Sequence, residues 1–257
     1  MRKLFAFSML FVLATASFGS TLSTIRFGVD PSYPPFESKG PDGKLHGFDI
    51  DLGEQICARL NARCVWVEND FDGMIPALKA RKFDAILSAM SDTPQRSAQI
   101  AFSDKMYNMT AGLIARKGSG LSPTPDGLKG KSVGVEQGSS ALTYAKMYWE
   151  PHGARVVSYQ NQDQVYADLI SGRLDAAFQA TVQAETGFLK SPQGADFELV
   201  GKPLDDPKIF GVGAAIGMRK DDPELASRIN NALAGMLKDG TYKSIARKYF
   251  DFDIYNN

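Results

Sequence analysis

Cysteine and histidine are scarce, with two of each in 257 residues. Two thiols with only His46 and His152 make a poor donor set for a structural or catalytic metal, and no Ser/His/Asp order or nucleophile elbow is legible. Charge of one sign is also lacking. Lys and Arg total 29 against 29 Asp and Glu, so no excess of cations exists to release counterions from a nucleic acid or to hold an anionic membrane surface. Long apolar runs are absent beyond the first residues. At 44% hydrophobic and 23% charged the composition excludes a disordered, collagen-like or coiled-coil chain and leaves one large core or two medium ones. Small molecules become the expected partners, with no nucleic acid and no cofactor.

The amino terminus stands apart. Arg2 and Lys3 precede an apolar run over residues 4–14, and Ala14-Thr15-Ala16 or Ser17-Phe18-Gly19 offers the small residues a signal peptidase accepts. A dozen or so apolar residues fall short of the ~20 that span a bilayer. Residues 1–19 are therefore expected to be a signal peptide, cleaved after about residue 16 to 19. No cysteine follows directly, which argues against a lipid anchor, and loss of Arg2 and Lys3 leaves slightly more acids than bases. In an oxidising compartment Cys57 and Cys64 should close a small disulfide loop.

The rest reads as α/β. Residues 25–29 form a strand, a Pro-rich loop follows, a helix runs from Gly47-Phe48 to about Leu60, and 65–67 is a second strand. Residues 74–79 are helical and 83–87 a buried strand. The grammar then restarts: residues 131–136 resemble 26–30, and Leu169-Ile170-Ser171-Gly172-Arg173-Leu174-Asp175-Ala176 resembles Leu78-Lys79-Ala80-Arg81-Lys82-Phe83-Asp84-Ala85. Two lobes of similar plan are expected, each a mostly parallel sheet flanked by helices. Residues 210–218 read as a further strand, and 223–237 and 241–249 as helices that return to the first lobe. The expected division is 20–108 plus 212–257 for lobe one and 109–211 for lobe two, with hinge crossings near 107–113 and 203–213.

Ligands of open α/β sheets bind beyond the carboxyl ends of the strands. Those ends deliver residues 30–33 and 88–91 from the first lobe, and 136–140 and 179–181 from the second. In Ser91-Asp92-Thr93-Pro94-Gln95-Arg96, Ser91 or Asp92 can cap a helix and Pro94 suits its first turn. Arg96 there opposes the helix dipole unless an anion arrives, and its planar guanidinium suits a carboxylate. It could equally fold outward to Asp92 or Asp104. Gly138-Ser139-Ser140 repeats the arrangement in the second lobe. Asp30, Tyr33 and Phe71 could hold a cation between an acid and aromatic faces, although Phe71 is also a natural core residue. Together these features describe a receptor for a zwitterionic ligand the size of an amino acid.

Asp30-x-x-Tyr33, residues 47–52 (GFDIDL), residues 71–76 (FDGMIP), Gly134-Val135-x-Gln137-Gly138-Ser139 and residues 248–255 (KYFDFDIY) give a pattern that resembles a known family over residues 24–255. It is that of the periplasmic solute-binding proteins of polar amino acid ABC transporters, specifically the lysine/arginine/ornithine and histidine binders. The resemblance implies the two-lobe fold with a two-strand hinge. It also implies periplasmic location, a membrane ABC permease as partner, a monomer, and binding without catalysis. By this likeness Arg96 takes the ligand α-carboxylate with Ser91 and Ser140. Asp30, Tyr33 and Phe71 hold the basic side chain, and the backbone around Ser88, Ala89 and Met90 receives the α-ammonium. Ser139 joins the second-lobe wall, and Cys57 pairs with Cys64.

Three positions depart from the family. Ala180 stands where the relatives place an Asp for the α-ammonium, Glu136 replaces an apolar Leu, and Ala141 replaces a Gln. Either Glu136 supplies the missing charge, or the ligand lacks a primary α-ammonium, as an opine or an ω-guanidino or ω-amino acid does. A periplasmic dehydratase of the same fold is the rival class. A tethered chemoreceptor sensor domain is a third, which the lack of a second membrane segment disfavours.

Overall fold

The computed structural model describes residues 23–256, so the signal peptide expected at residues 1–19 lies outside the described residues. Two five-stranded sheets are built on one plan. In the first, Ser23–Val29 lies between Ala62–Glu68 and Ala85–Ile86, all parallel, and Gly217–Met218 and Ala101–Phe102 continue the sheet antiparallel. In the second, Ser132–Glu136 lies between Arg155–Tyr159 and Ala176–Ala180, again parallel. Ala111–Arg116 and Phe197–Leu204 then extend it antiparallel. Each sheet is thus mixed, and the internal sequence similarity corresponds to the parallel triplet of each lobe.

Burial explains the helices. In Phe48–Arg59 the residues Phe48, Leu52 and Ile56 are fully buried at four-residue spacing. Pro223–Asp239 buries Leu225, Ile229, Leu233 and Met236 in the same way. It starts where the Asp222 side chain accepts the Leu225 N–H and stops at Gly240, whose φ is 83°. Its apolar stripe shares a core with Ile25, Phe27 and Ile216, so the end of the chain packs on the first sheet. The second sheet has Val133, Trp149, Phe178 and Phe210 on one face and Val165, Leu169, Phe188 and Phe197 on the other.

The stretch 210–218 differs from expectation. Residues Pro207–Phe210 form a short helix, because Asp206 accepts the Lys208 N–H and a proline opens the turn. Gly211 and Gly213 then adopt φ of 76° and 124°, leaving only Gly217–Met218 as strand. The strand Phe197–Leu204 carries Gly201 and Pro203, which mask its pattern and coincide with a register shift between Val200 and Leu204. Two segments pass side by side between the lobes. Ala214 bridges to Tyr107 on the first-lobe side, and Ala111 pairs with both Leu204 and Ala180 on the second.

Cys57 and Cys64 form the disulfide, tying the helix Phe48–Arg59 to the strand Ala62–Glu68. Closing so short a loop removes about 2.5 kcal/mol of unfolded-state chain entropy. The double variant Cys57→Ala/Cys64→Ala should therefore melt roughly 5–10 °C lower in calorimetry. An unchanged Tm would show that the loop is held without the bond.

Candidate functional site

The carboxyl ends of both parallel triplets converge on one cleft of about 600 Å³, its open mouth included, a volume suited to a small molecule. The first lobe contributes Asp30, Tyr33, Phe71, Ser88, Ala89, Ser91 and Arg96. The second contributes Glu136, Ser139, Ser140 and Ala180. Met90 does not line it. Its side chain packs with Phe83, Ile86 and Ile100 in the core behind the wall.

Arg96 turns inward and is 8% exposed. The helix Pro94–Ser97 that carries it is capped by Thr93, not by Ser91 or Asp92: Thr93 Oγ1 accepts the Arg96 N–H at 3.3 Å. Asp92 is instead occupied by the Ser97 hydroxyl. The guanidinium lies 5.3 Å from the centre of the Phe71 ring, donates from Nη1 to the Ser91 carbonyl at 2.9 Å and from Nη2 to the Gly138 carbonyl at 3.1 Å. Two of its five N–H groups are thereby used, and it forms no ion pair with any described residue. Burial lowers its pKa to about 10, against the opposing pull of Glu136. Phe71 thus supports Arg96 from below.

Asp30 is held in place by three contacts. Its carboxylate accepts from Ser32 Oγ at 2.7 Å and from the Phe71 N–H at 3.0 Å, while its own N–H donates to Ser88 Oγ at 2.9 Å. Burial raises its pKa. The Tyr33 hydroxyl accepts the Ala180 N–H at 3.1 Å, a bond between lobes. Ser139 caps the helix Ser140–Tyr148 by accepting the Leu142 N–H, and it donates to the Glu136 carbonyl. Glu136 ends its strand 6% exposed, and burial, then Asp30, pushes its pKa well up.

Sequence reasoning missed Glu37 and Asp49. Glu37 lines the cleft at 1% exposure, accepts from Ser88 Oγ at 3.1 Å and leaves Oε2 unpartnered. Asp49, in the first turn of Phe48–Arg59, is fully buried. It accepts from the Ala89 N–H at 2.8 Å and from the Tyr107 hydroxyl at 2.8 Å. Burial raises both acids, Asp49 to about 7, and the charge of Asp49 adds to the upward push on Glu37. Asp49 also secures Ala89, whose φ of 45° lies in the left-handed region. Met109, Thr110, Ala111, Gln162, Phe178 and Phe210 also line the cleft. No motif marks them; only their nearness to the crossing segments and strand ends could have.

The lobes meet closely. Gln137 Nε2 donates to Asp72 and Gln160 Nε2 to Asp70, each at 2.7 Å. A Cβ on Gly187 would lie 2.2 Å from the Pro34 carbonyl oxygen, and one on Gly138 2.7 Å from Asp72 Cα. At both contacts only a hydrogen fits.

Residues 25–252 match the family model of the bacterial extracellular solute-binding proteins, family 3. The chain is 50% identical over 245 residues to the histidine-binding periplasmic protein of Escherichia coli (strain K12), covering 95% of this chain and 94% of that one. It is also 50% identical over 258 residues to the lysine/arginine/ornithine-binding periplasmic protein of the same organism, covering 100% and 99%. Among solved structures, a Salmonella typhimurium periplasmic binding protein of high arginine specificity superposes with a TM-score of 0.82 at 32% identity. That match covers 89% of this chain and 99% of the other.

Proposed function

The chain belongs to family 3 of the bacterial extracellular solute-binding proteins, and from that premise we propose that it captures a basic amino acid in the periplasm and delivers it to a membrane ABC permease. One observation carries this reading: a buried, ion-unpaired Arg96 on one wall of the cleft with Asp30 and Tyr33 on the same lobe to receive a cation. The names of the relatives support it, since they bind histidine, lysine, arginine or ornithine.

In this reading the ligand carboxylate takes the free N–H groups of Arg96, with Ser91 and Ser140 beside it. Its amino group approaches the backbone of 88–90, and its basic end lies toward Asp30. The lobes 20–108 plus 212–257 and 109–211 move about the paired crossings, and a ligand touching both walls favours the closed arrangement. The closed surface is what the permease reads. The protein acts as a monomer and releases the ligand unchanged. A second reading rests on Ala180, which offers the amino group a methyl where a carboxylate would serve: a ligand without a primary α-ammonium, such as an opine or an ω-guanidino acid, loses nothing there.

Titration calorimetry with arginine, lysine, ornithine, histidine, octopine, nopaline and 4-guanidinobutyrate separates the two. Tightest binding is expected within the first four; tightest binding to an opine or to 4-guanidinobutyrate would favour the second. Mass spectrometry should recover the bound compound intact, and a changed mass would indicate catalysis. Arg96→Ala should weaken binding by about 3–5 kcal/mol, a hundredfold to a few thousandfold, whereas a loss under tenfold would remove Arg96 from the carboxylate site. Gly187→Ala should leave Tm unchanged yet hold the lobes apart. With saturating ligand its radius of gyration in X-ray scattering should exceed that of the parent; identical profiles would show that the Gly187 contact does not limit closure.

A further inference from the structure

The second-lobe wall carries one carboxyl group that no described residue answers. Glu136 lines the cleft at 6% exposure, and no described residue donates a hydrogen bond to its carboxylate or pairs with it. The neighbouring polar groups are committed elsewhere. Ser139 Oγ donates to the Glu136 backbone carbonyl. The Ala180 N–H is taken by Tyr33, and Gln179 is tied into the buried cluster of Gln162, Tyr166 and Gln183. The parallel register Ala176↔Val133 and Ala177↔Gly134 brings Glu136 and Ala180 to the same edge, so Glu136 supplies the only carboxylate of that strand pair's end. Asp30 acts on it from the first lobe more strongly than Arg96 does, and Asp163 and Asp72 add to the negative potential.

A buried carboxyl group without a partner holds its proton until a cation arrives to pair with the ionised form. Asp30 retains a free lone pair on each oxygen after its bonds to Ser32 and Phe71. Arg96 answers at most one of the two facing acids, Asp30 and Glu136, and the side-chain cation of a basic amino acid would answer the other. We propose that Asp30 and Glu136 close from opposite lobes on one guanidinium, making Glu136 the residue that selects an amino acid with a guanidinium side chain. A guanidinium suits this better than an ammonium, because its planar array of N–H groups presents two edges to two carboxylates. The inference rests on the basic amino acid reading and adds the ligand class to it.

The test compares arginine with citrulline, its uncharged isostere, by titration calorimetry on the parent chain and on Glu136→Gln. Glu136→Leu serves as a second variant, and thermal melts confirm folding. The parent should prefer arginine by about a hundredfold or more. Either variant should weaken arginine by roughly thirtyfold or more and leave citrulline within about threefold. Equal weakening of both compounds would place Glu136 at the α-ammonium and overturn the proposal, as would arginine affinity that survives both variants. A parent that binds none of arginine, lysine, ornithine and histidine would instead overturn the underlying reading, and this inference with it.

Discussion

A guanidinium withdrawn from water without an anion beside it is the constraint on which this cleft turns. Arg96 is stacked on Phe71, anchored to two carbonyls from two lobes, and left with N–H groups facing the cavity. Carbonyls and an aromatic face soften the desolvation of a cation but do not neutralise it. Asp30 on the first lobe and Glu136 on the second stand in the same cleft without closing an ion pair to Arg96. In the proposed reading a bound zwitterion completes both halves at once.

The second constraint is the approach of the lobes. Two sheets of the same strand order point their carboxyl ends at each other, and the backbone meets at glycines where a methyl group would collide. Amide-to-carboxylate bonds from Gln137 and Gln160 rim the contact. Behind the first-lobe wall, Glu37 and Asp49 hold Ser88, Ala89 and Tyr107 in position. Their hydrogen bonds to Ser88 and to the Ala89 N–H tie the segment 88–91 to the core of the first lobe.

Local signals were legible where the physics is local. The stripe of Pro223–Asp239, the cysteine pair, the repeated strand-to-acid endings and the inward-facing candidates Asp30, Arg96 and Glu136 all follow from spacing, side-chain type or the family pattern. Misreadings arose where neighbours in space outvoted neighbours in sequence. Asp49 carried no signal beyond its place in a first turn, yet the Ala89 N–H and the Tyr107 hydroxyl claim it. Met90 was grouped with its loop, but its side chain packs in the core behind it. Glu37 carried no signal, since its partner Ser88 is far along the chain.

The two-lobe plan, the disulfide and the family were thus determined by the sequence alone, because periodicity, caps and contiguous motifs are properties of short stretches of chain. Tertiary structure alone decided which polar groups remain unanswered. Whether Arg96 turns inward, whether Tyr33 reaches Ala180 and whether Glu136 stands without a partner depend on distances between residues that only folding brings together.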